Sequence, residues 1–267
     1  MLTDRLPTYF ISHGGGPWPY MPTLRHALRN LEASLVDIVR QIGRTPRAVL
    51  VVSGHWEADT FAVSSGARPG MIYDYSGFPP ETYDVVYPAP GLPELAQRVV
   101  DLAAGQGIVV RADVHRGFDH GTFTPLAVMF PDAHVPVVQV SLKADFDPAD
   151  HWAFGQSLSA LRDEGVLILG SGLSYHNLRN FGPGAAAPSA QFDLWLRDTL
   201  TAQAPDQRQA RLMQWERAPA ARQCHPREDH LLPLMVALGA AEQETGQVIY
   251  HERDLFGGIT ASSFRFG

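Results

Sequence analysis

Apolar, β-branched runs recur along the chain at 8–12, 48–53, 108–111, 135–141 and 166–170. They are short, and turn residues bound most of them, which predicts buried strands. Between them the spacing lengthens. Residues 22–42 place Leu24, Leu28, Leu31, Leu35, Ile38 and Val39 mostly three or four apart, the stripe of an amphipathic helix. Helices are also predicted at 92–104, after the turn-like PAPG, and at 148–164, where Trp152, Phe154, Leu158 and Leu161 precede the stop Glu164-Gly165. Two more are predicted at 192–202 and 227–238. Strands alternating with helices of this length predict an α/β fold, three layers deep (α/β/α), around a mostly parallel mixed sheet. The tail alternates at 247–251 and 258–264 like edge strands or a hairpin. With no internal repeat, residues 1–267 read as a single domain.

Two stretches break the alternation. Residues 66–90 are rich in Gly, Pro and Tyr, and a loop that long in a compact domain is usually functional. Residues 182–189 (GPGAAAPS) read as a surface connector or, because they follow His176, as a lid. Composition narrows the classes. With 45% hydrophobic and 18% charged residues, a sizeable core is expected. A net charge of −7 opposes a nucleic-acid partner, which wants a basic patch. No window approaches about 18 uninterrupted apolar residues, so no membrane span is expected. The opening MLTDRLPTYFISHGGG lacks the apolar stretch of a signal peptide, which makes a cytoplasmic location the expectation. Cys224 is the sole cysteine, which excludes an internal disulfide and any thiolate-rich zinc site. Lys143 is the sole lysine and the one residue open to Schiff-base chemistry.

The candidate chemistry lies in histidine. His13, His55, His120, His176 and His230 sit just past an apolar run or in a turn, within TYFISHGGG, VLVVSGHWE, RGFDHGTF, VLILGSGLSYHNLR and HPREDHLLPL. Open α/β sheets bind ligands where strands end, and imidazole is both the commonest metal ligand and a proton carrier near neutral pH. His13 precedes three glycines, which let the backbone bend close to a ligand. That triplet lacks the spacing and the GK[ST] ending of phosphate loops. Glu57 reads either as an acceptor for an imidazole N–H or as a surface carboxylate. If the segment around Asp119 and His120 is extended, the two point different ways. His230 reads as helical, in the first or second turn after Pro226, so that Glu228 and Asp229 point elsewhere. His225 falls in the preceding loop. His26, His115, His134, His151 and His251 read as structural or solvent-facing. Imidazoles without thiolates suit Zn²⁺, Fe²⁺, Cu²⁺ or Ni²⁺ and disfavour Mg²⁺ and Ca²⁺. Three such ligands leave open positions, as catalytic sites require, and further histidines are then free for acid–base work.

Six segments carry a resemblance: HGGGPW at 13–18, VVSGHWE at 51–57, YDYSGFPPETYDVVYPAPG at 73–91, GFDHGTFTPL at 117–126, GSGLSYHNLR at 170–179 and HPREDHLLPLMVALGAA at 225–241. In that order they resemble the class III (LigB-type) extradiol ring-cleaving dioxygenases, within them the DOPA 4,5-dioxygenase-like subgroup. The resemblance implies that His13, His55 and His230 hold the metal. His176 matches the acid–base residue, and His120 a second pocket histidine contacting substrate or oxygen. His225 is a weaker match to the pocket wall. It further implies Fe²⁺ as the working ion, with a catechol (DOPA-like or a catecholic acid) and O₂ as partners. Zn²⁺ binds three imidazoles at least as well as Fe²⁺ does, so it is an expected occupant of the same site. Trp18, Tyr75, Phe78, Phe118 and Tyr175 are candidates to wall the ring, and Arg116, Arg179 and Arg227 candidates to hold a substrate carboxylate. Two other readings stay open: a zinc-dependent hydrolase on the same scaffold, and a non-catalytic metal-binding interaction protein. Oligomeric state is unread.

Overall fold

The fold is that of a computed structural model that describes residues 5–267; the first four residues of the segment read for a signal peptide lie outside it. Its strands are β1 (Thr8–Ser12), β2 (Ala48–Ala58), β3 (Phe61–Ser64), β4 (Val110–Asp113), β5 (Val137–Lys143), β6 (Val166–Gly172), β7 (Gly246–Leu255) and β8 (Ile259–Phe266). They form one eight-stranded mixed sheet in the order β4-β3-β5-β2-β6-β1-β8-β7. The central pairs β5–β2, β2–β6 and β6–β1 are parallel, and β8 and β7 close one side antiparallel. Parallel strands buried on both faces need unbroken apolar runs, and AVLVV in β2 and VLIL in β6 supply them.

The helices are α1 (Pro22–Ala27), α2 (Arg29–Ile42), α3 (Pro93–Ala104), α4 (His120–Met129), α5 (Pro148–Ser157), α6 (Ala186–Ala202), α7 (Pro205–Met213), α8 (Ala221–Cys224) and α9 (Leu232–Gly239). Alternation along β6 shows how they cover both faces. Gly172 backs onto the His230 carbonyl before α9, where a side chain would collide with it. Ser171, one residue earlier, points the other way and donates its hydroxyl hydrogen to the Gly121 carbonyl of α4. The sheet is thus the middle of three layers.

Several elements depart from the sequence pattern. The helix expected over 22–42 breaks at Leu28 (φ −97°, ψ 21°) into α1 and α2, and α2 buries Leu31, Leu35 and Ile38. The strand expected at 48–53 runs on to Ala58 through a bulge: Val52 pairs with Val140, but Glu57 already pairs with Leu142. The stretch 182–189, read as a connector or lid, is a 3-10 turn (Pro183–Ala185) leading into the first turn of α6. Residues 66–90 are irregular as expected, with one 3-10 turn at Pro80–Tyr83. Among the described residues no helix is long and apolar enough to cross a membrane.

Candidate metal centre

Three imidazoles meet at the carboxyl ends of the parallel strands. His13 is the first residue past β1, and its N–H donates to the Gly172 carbonyl at 3.1 Å. The chain then turns through Gly14 at φ +84°, where a side chain would run into the Trp18 indole. Trp18 fixes that turn by donating Nε1–H to the His13 carbonyl at 2.8 Å. His55 lies within the β2 bulge, its N–H directed at Ser53 Oγ. His230 sits in the turn before α9, one turn earlier than a helical reading of 227–238 expects, and its carbonyl accepts the Leu173 N–H at 3.1 Å.

The Nε2 atom of His55 is 3.3 Å from that of His13 and 3.1 Å from that of His230. Ligand nitrogens at about 2.0–2.1 Å from one ion stand roughly 3.0–3.4 Å apart, so the spacing fits a shared cation. The opposite nitrogens explain the orientation. His230 Nδ1 lies 2.7 Å from Asp229 Oδ2, and His55 Nδ1 lies 3.2 Å from Asp74 Oδ2. A carboxylate on Nδ1–H leaves the Nε2 lone pair for a metal, the usual carboxylate–histidine–metal arrangement. Burial, then the neighbouring imidazoles, pushes all three rings well below the ordinary histidine range. Neutral lone pairs turned on one another repel, and a shared cation would remove that repulsion for all three rings at once. Cys224 contributes nothing here: it is buried away from the cluster, and burial pushes its thiol up to about 12.

Residues 7–267 match the family described as the catalytic LigB subunit of aromatic ring-opening dioxygenase. The chain belongs to the LigB family. A 4,5-DOPA dioxygenase extradiol of Beta vulgaris is 39% identical over 266 residues, covering 97% of this chain and 96% of that one. The dioxygenase tasH of Hapsidospora irregularis is 37% identical over 257 residues, covering 89% and 79%. The crystal structure of an uncharacterized Escherichia coli K12 protein superposes with a TM-score of 0.79 at 30% identity, covering 98% of this chain and 100% of that one. LigB chemistry is the oxidative opening of an aromatic ring at a non-haem metal, and this chain is an extradiol dioxygenase of that family.

The rest of the cavity is built around these three imidazoles. His120 opens α4 rather than lying in an extended segment, with Asp119 as its N-cap. Asp74 Oδ1 accepts from both the backbone N–H (3.0 Å) and Nδ1–H (2.8 Å) of His120, while Oδ2 faces His55. One carboxylate therefore ties two rings whose centroids are 4.0 Å apart. Burial raises the Asp74 carboxyl, but hydrogen bonds and charge from His120 outweigh it and hold it below its usual value. His176 follows β6 and stacks on His230 at 3.3 Å and 15°. Its Nδ1 is 3.7 Å from Asp229 Oδ2, and burial, then the charge of His120, pushes it down to about 4. All five histidines line one cavity of about 740 Å³.

Other expectations resolve differently. His225 is fully buried away from the cavity, with Nε2 3.1 Å from the Ser174 carbonyl and its ring against Phe192 and Trp215. Asp229 does not point elsewhere; because its segment is a turn, it reaches back to His230. Glu57 bonds no imidazole and pairs with Arg227 at the rim, at 2.9 Å. Arg116 is spent on Asp119 (2.6 Å) and stacks over Trp56, and Arg179 is exposed outside the lining. Tyr75 and Phe78 line the cavity, whereas Trp18, Phe118 and Tyr175 are core. Nothing in the local sequence pattern marks Asp74, Phe181 or Phe256 as pocket residues: Asp74 falls within YDYSGFPPETYDVVYPAPG, but no period or spacing betrays a carboxylate whose partners are 19 and 46 residues away.

Proposed function

We propose that this protein opens a catechol ring beside its diol at an ion held by His13, His55 and His230, with His176 and His120 acting on the bound ring. The observation that carries the reading is the convergence of three Nε2 atoms, two of them backed by carboxylates, in a cavity that two further imidazoles share. A bound Fe²⁺ would supply Lewis acidity toward the diol and the redox capacity that O₂ requires, of which Zn²⁺ supplies only the first.

The chain's own groups do the rest. His176 is neutral at pH 7 because burial holds it near 4, so it meets the substrate as a base. Asp229 stands on its Nδ1 side, which leaves Nε2 to take a hydroxyl proton and return it as the ring opens. His120 gives Nδ1–H to Asp74 and so presents Nε2 as an acceptor for the second hydroxyl. The aromatic wall of Tyr75 and Phe78 keeps water from the ring face. In the balanced reaction, both atoms of O₂ enter one product as a carbon–carbon bond beside the diol breaks, leaving a carboxyl and a carbonyl, with no external reductant.

DOPA, named for several relatives, is the first substrate to assay, alongside unsubstituted catechol. Metal-free protein is loaded anaerobically with Fe²⁺ or Zn²⁺, then oxygen uptake and the yellow ring-opened product are followed. The reading requires turnover with Fe²⁺ and O₂ together. Hydrolysis of esters or amides with Zn²⁺ in the absence of O₂, and no oxygen uptake with any catechol, would replace it.

A further inference from the structure

The cavity extends beyond the five histidines, and much of its remaining lining is apolar: Leu24, Tyr75, Phe78, Leu173, Leu178, Phe181 and Phe256. At about 740 Å³ it falls in the range that encloses a drug-sized molecule, far more than one dihydroxylated ring occupies. Two aromatic pairs bracket the glycine turn after His13. On one side Tyr75 and Phe78 pack at 5.4 Å, with Phe78 against Gly16; on the other Phe181 and Phe256 pack at 5.4 Å, with Phe256 against Gly15. Leu178, 71% exposed, and Phe181, 38% exposed, carry the apolar wall out to the surface. Phe256 is a special case. It stands at the tip of the β7–β8 hairpin with φ +53°, a conformation that costs a bulky residue and recurs at ligand clamps.

Charge narrows the ligand further. The lining includes Glu57, Asp74 and Asp229 but, among the described residues, no Lys or Arg. Arg227, at the rim, is held by Glu57 and lies over the Phe146 ring at 4.8 Å, and Arg116 behind His55 is held by Asp119. A substrate carboxylate would enter with no cationic side chain in the wall to meet it.

The geometry points to a catechol bearing a bulky apolar substituent and no net negative charge, gripped by Phe181 and Phe256, as the preferred substrate class. This rests on the ring-opening reading above. The diol stays with the histidines, and the substituent runs along the faces of the two phenylalanines toward Leu178.

The test is calorimetric binding of three probes to Zn²⁺-loaded protein under argon: catechol, 4-phenylcatechol and 3,4-dihydroxybenzoate. Steady-state kcat and KM are then measured on the Fe²⁺ form. We expect 4-phenylcatechol to bind about tenfold or more tighter than catechol, from the apolar area it buries, and 3,4-dihydroxybenzoate to bind no tighter than catechol. In Phe181→Ala and Phe256→Gly the ratio between 4-phenylcatechol and catechol should collapse, through KM rather than kcat. Glycine suits the left-handed backbone at 256, so that variant keeps the fold testable. If catechol binds and is cleaved but the aryl preference is absent, or survives in both variants, the inference falls while the ring-opening reading stands. If no probe binds or turns over, the ring-opening reading itself falls and takes the inference with it.

Discussion

Asp74→Asn isolates the carboxylate that serves two histidines. Asp74 accepts two N–H groups from His120 at Oδ1 and faces one from His55 at Oδ2. Asparagine keeps a single acceptor oxygen. The two donors of His120 claim it, which turns the NH₂ group toward His55 Nδ1–H, donor against donor. His55 must then lose that bond or shift its proton to Nε2, the atom proposed to bind the metal. A hydrogen bond to a charged group is worth about 1.5–3 kcal/mol, so metal affinity should fall roughly 10–100-fold. The assay is competition with a chelator of known affinity for Zn²⁺ and Fe²⁺, on wild type and variant. The thermal midpoint of the metal-free forms provides the check on folding. An affinity within about threefold of wild type would refute the argument. A drop in kcat at unchanged affinity would move the role of Asp74 from His55 to His120.

Three further outcomes follow from the same geometry. His176→Ala should abolish ring opening while sparing metal content, since its ring stacks on His230 without sharing the Nε2 cluster; loss of metal by elemental analysis would reassign it. Gly172→Ala has no room beside the His230 carbonyl, so it should cost about 1–3 kcal/mol in urea unfolding and weaken metal binding, and wild-type values for both would contradict the packing. His225 is pushed down to about 3 by burial, which outweighs its bond to the Ser174 carbonyl. Its unfolded form titrates near 6.5, so the unfolded state binds more protons below that pH. The stability from neutral His225 is full above about pH 6.5 and declines as pH falls toward 3, by roughly 2 kcal/mol at pH 5. Metal-free His225→Gln should lose that much less than wild type between pH 7.5 and 5, and equal losses would refute the assignment.

The parts legible in the sequence are those written in local pattern. The runs that became β1, β2, β5 and β6 are buried on both faces and needed no partner to be recognised, and the tail hairpin showed its alternation. The helices that escaped notice had little local signature. In α4 nearly every residue is buried, so it has no polar stripe, and α7 is nine residues long with Leu212 its one buried apolar side chain. The five histidines stood out because strand ends are local features. Their supports did not, because they are tertiary. Asp74 comes from an irregular loop and Phe256 from a hairpin tip, and each matters through residues far along the chain. His225 misled for the opposite reason: its place in a site-like motif says nothing of a side chain turned into the core.

The site concentrates features that a sequence optimised for stability avoids. β2 gives up regular pairing at the bulge that carries His55, three imidazole lone pairs are buried within reach of one another, and Phe256 holds a left-handed backbone. Each is unfavourable alone, of order 1–3 kcal/mol for a strained residue. All three lie at one end of a sheet whose strands β1 and β6 are buried throughout and can offset them. Two carry an identifiable return in binding. The bulge turns His55 toward His13 and His230, and the strained turn aims an aromatic ring at the cavity. A cation would relieve all the apposed lone pairs at once. Metal binding should therefore stabilise the fold as well as enable the reaction, and the stability of the metal-loaded protein should rise with free metal as mass action requires. A metal-loaded protein that unfolds at the same denaturant concentration as the metal-free form would mean that the three nitrogens are not a shared ligand set.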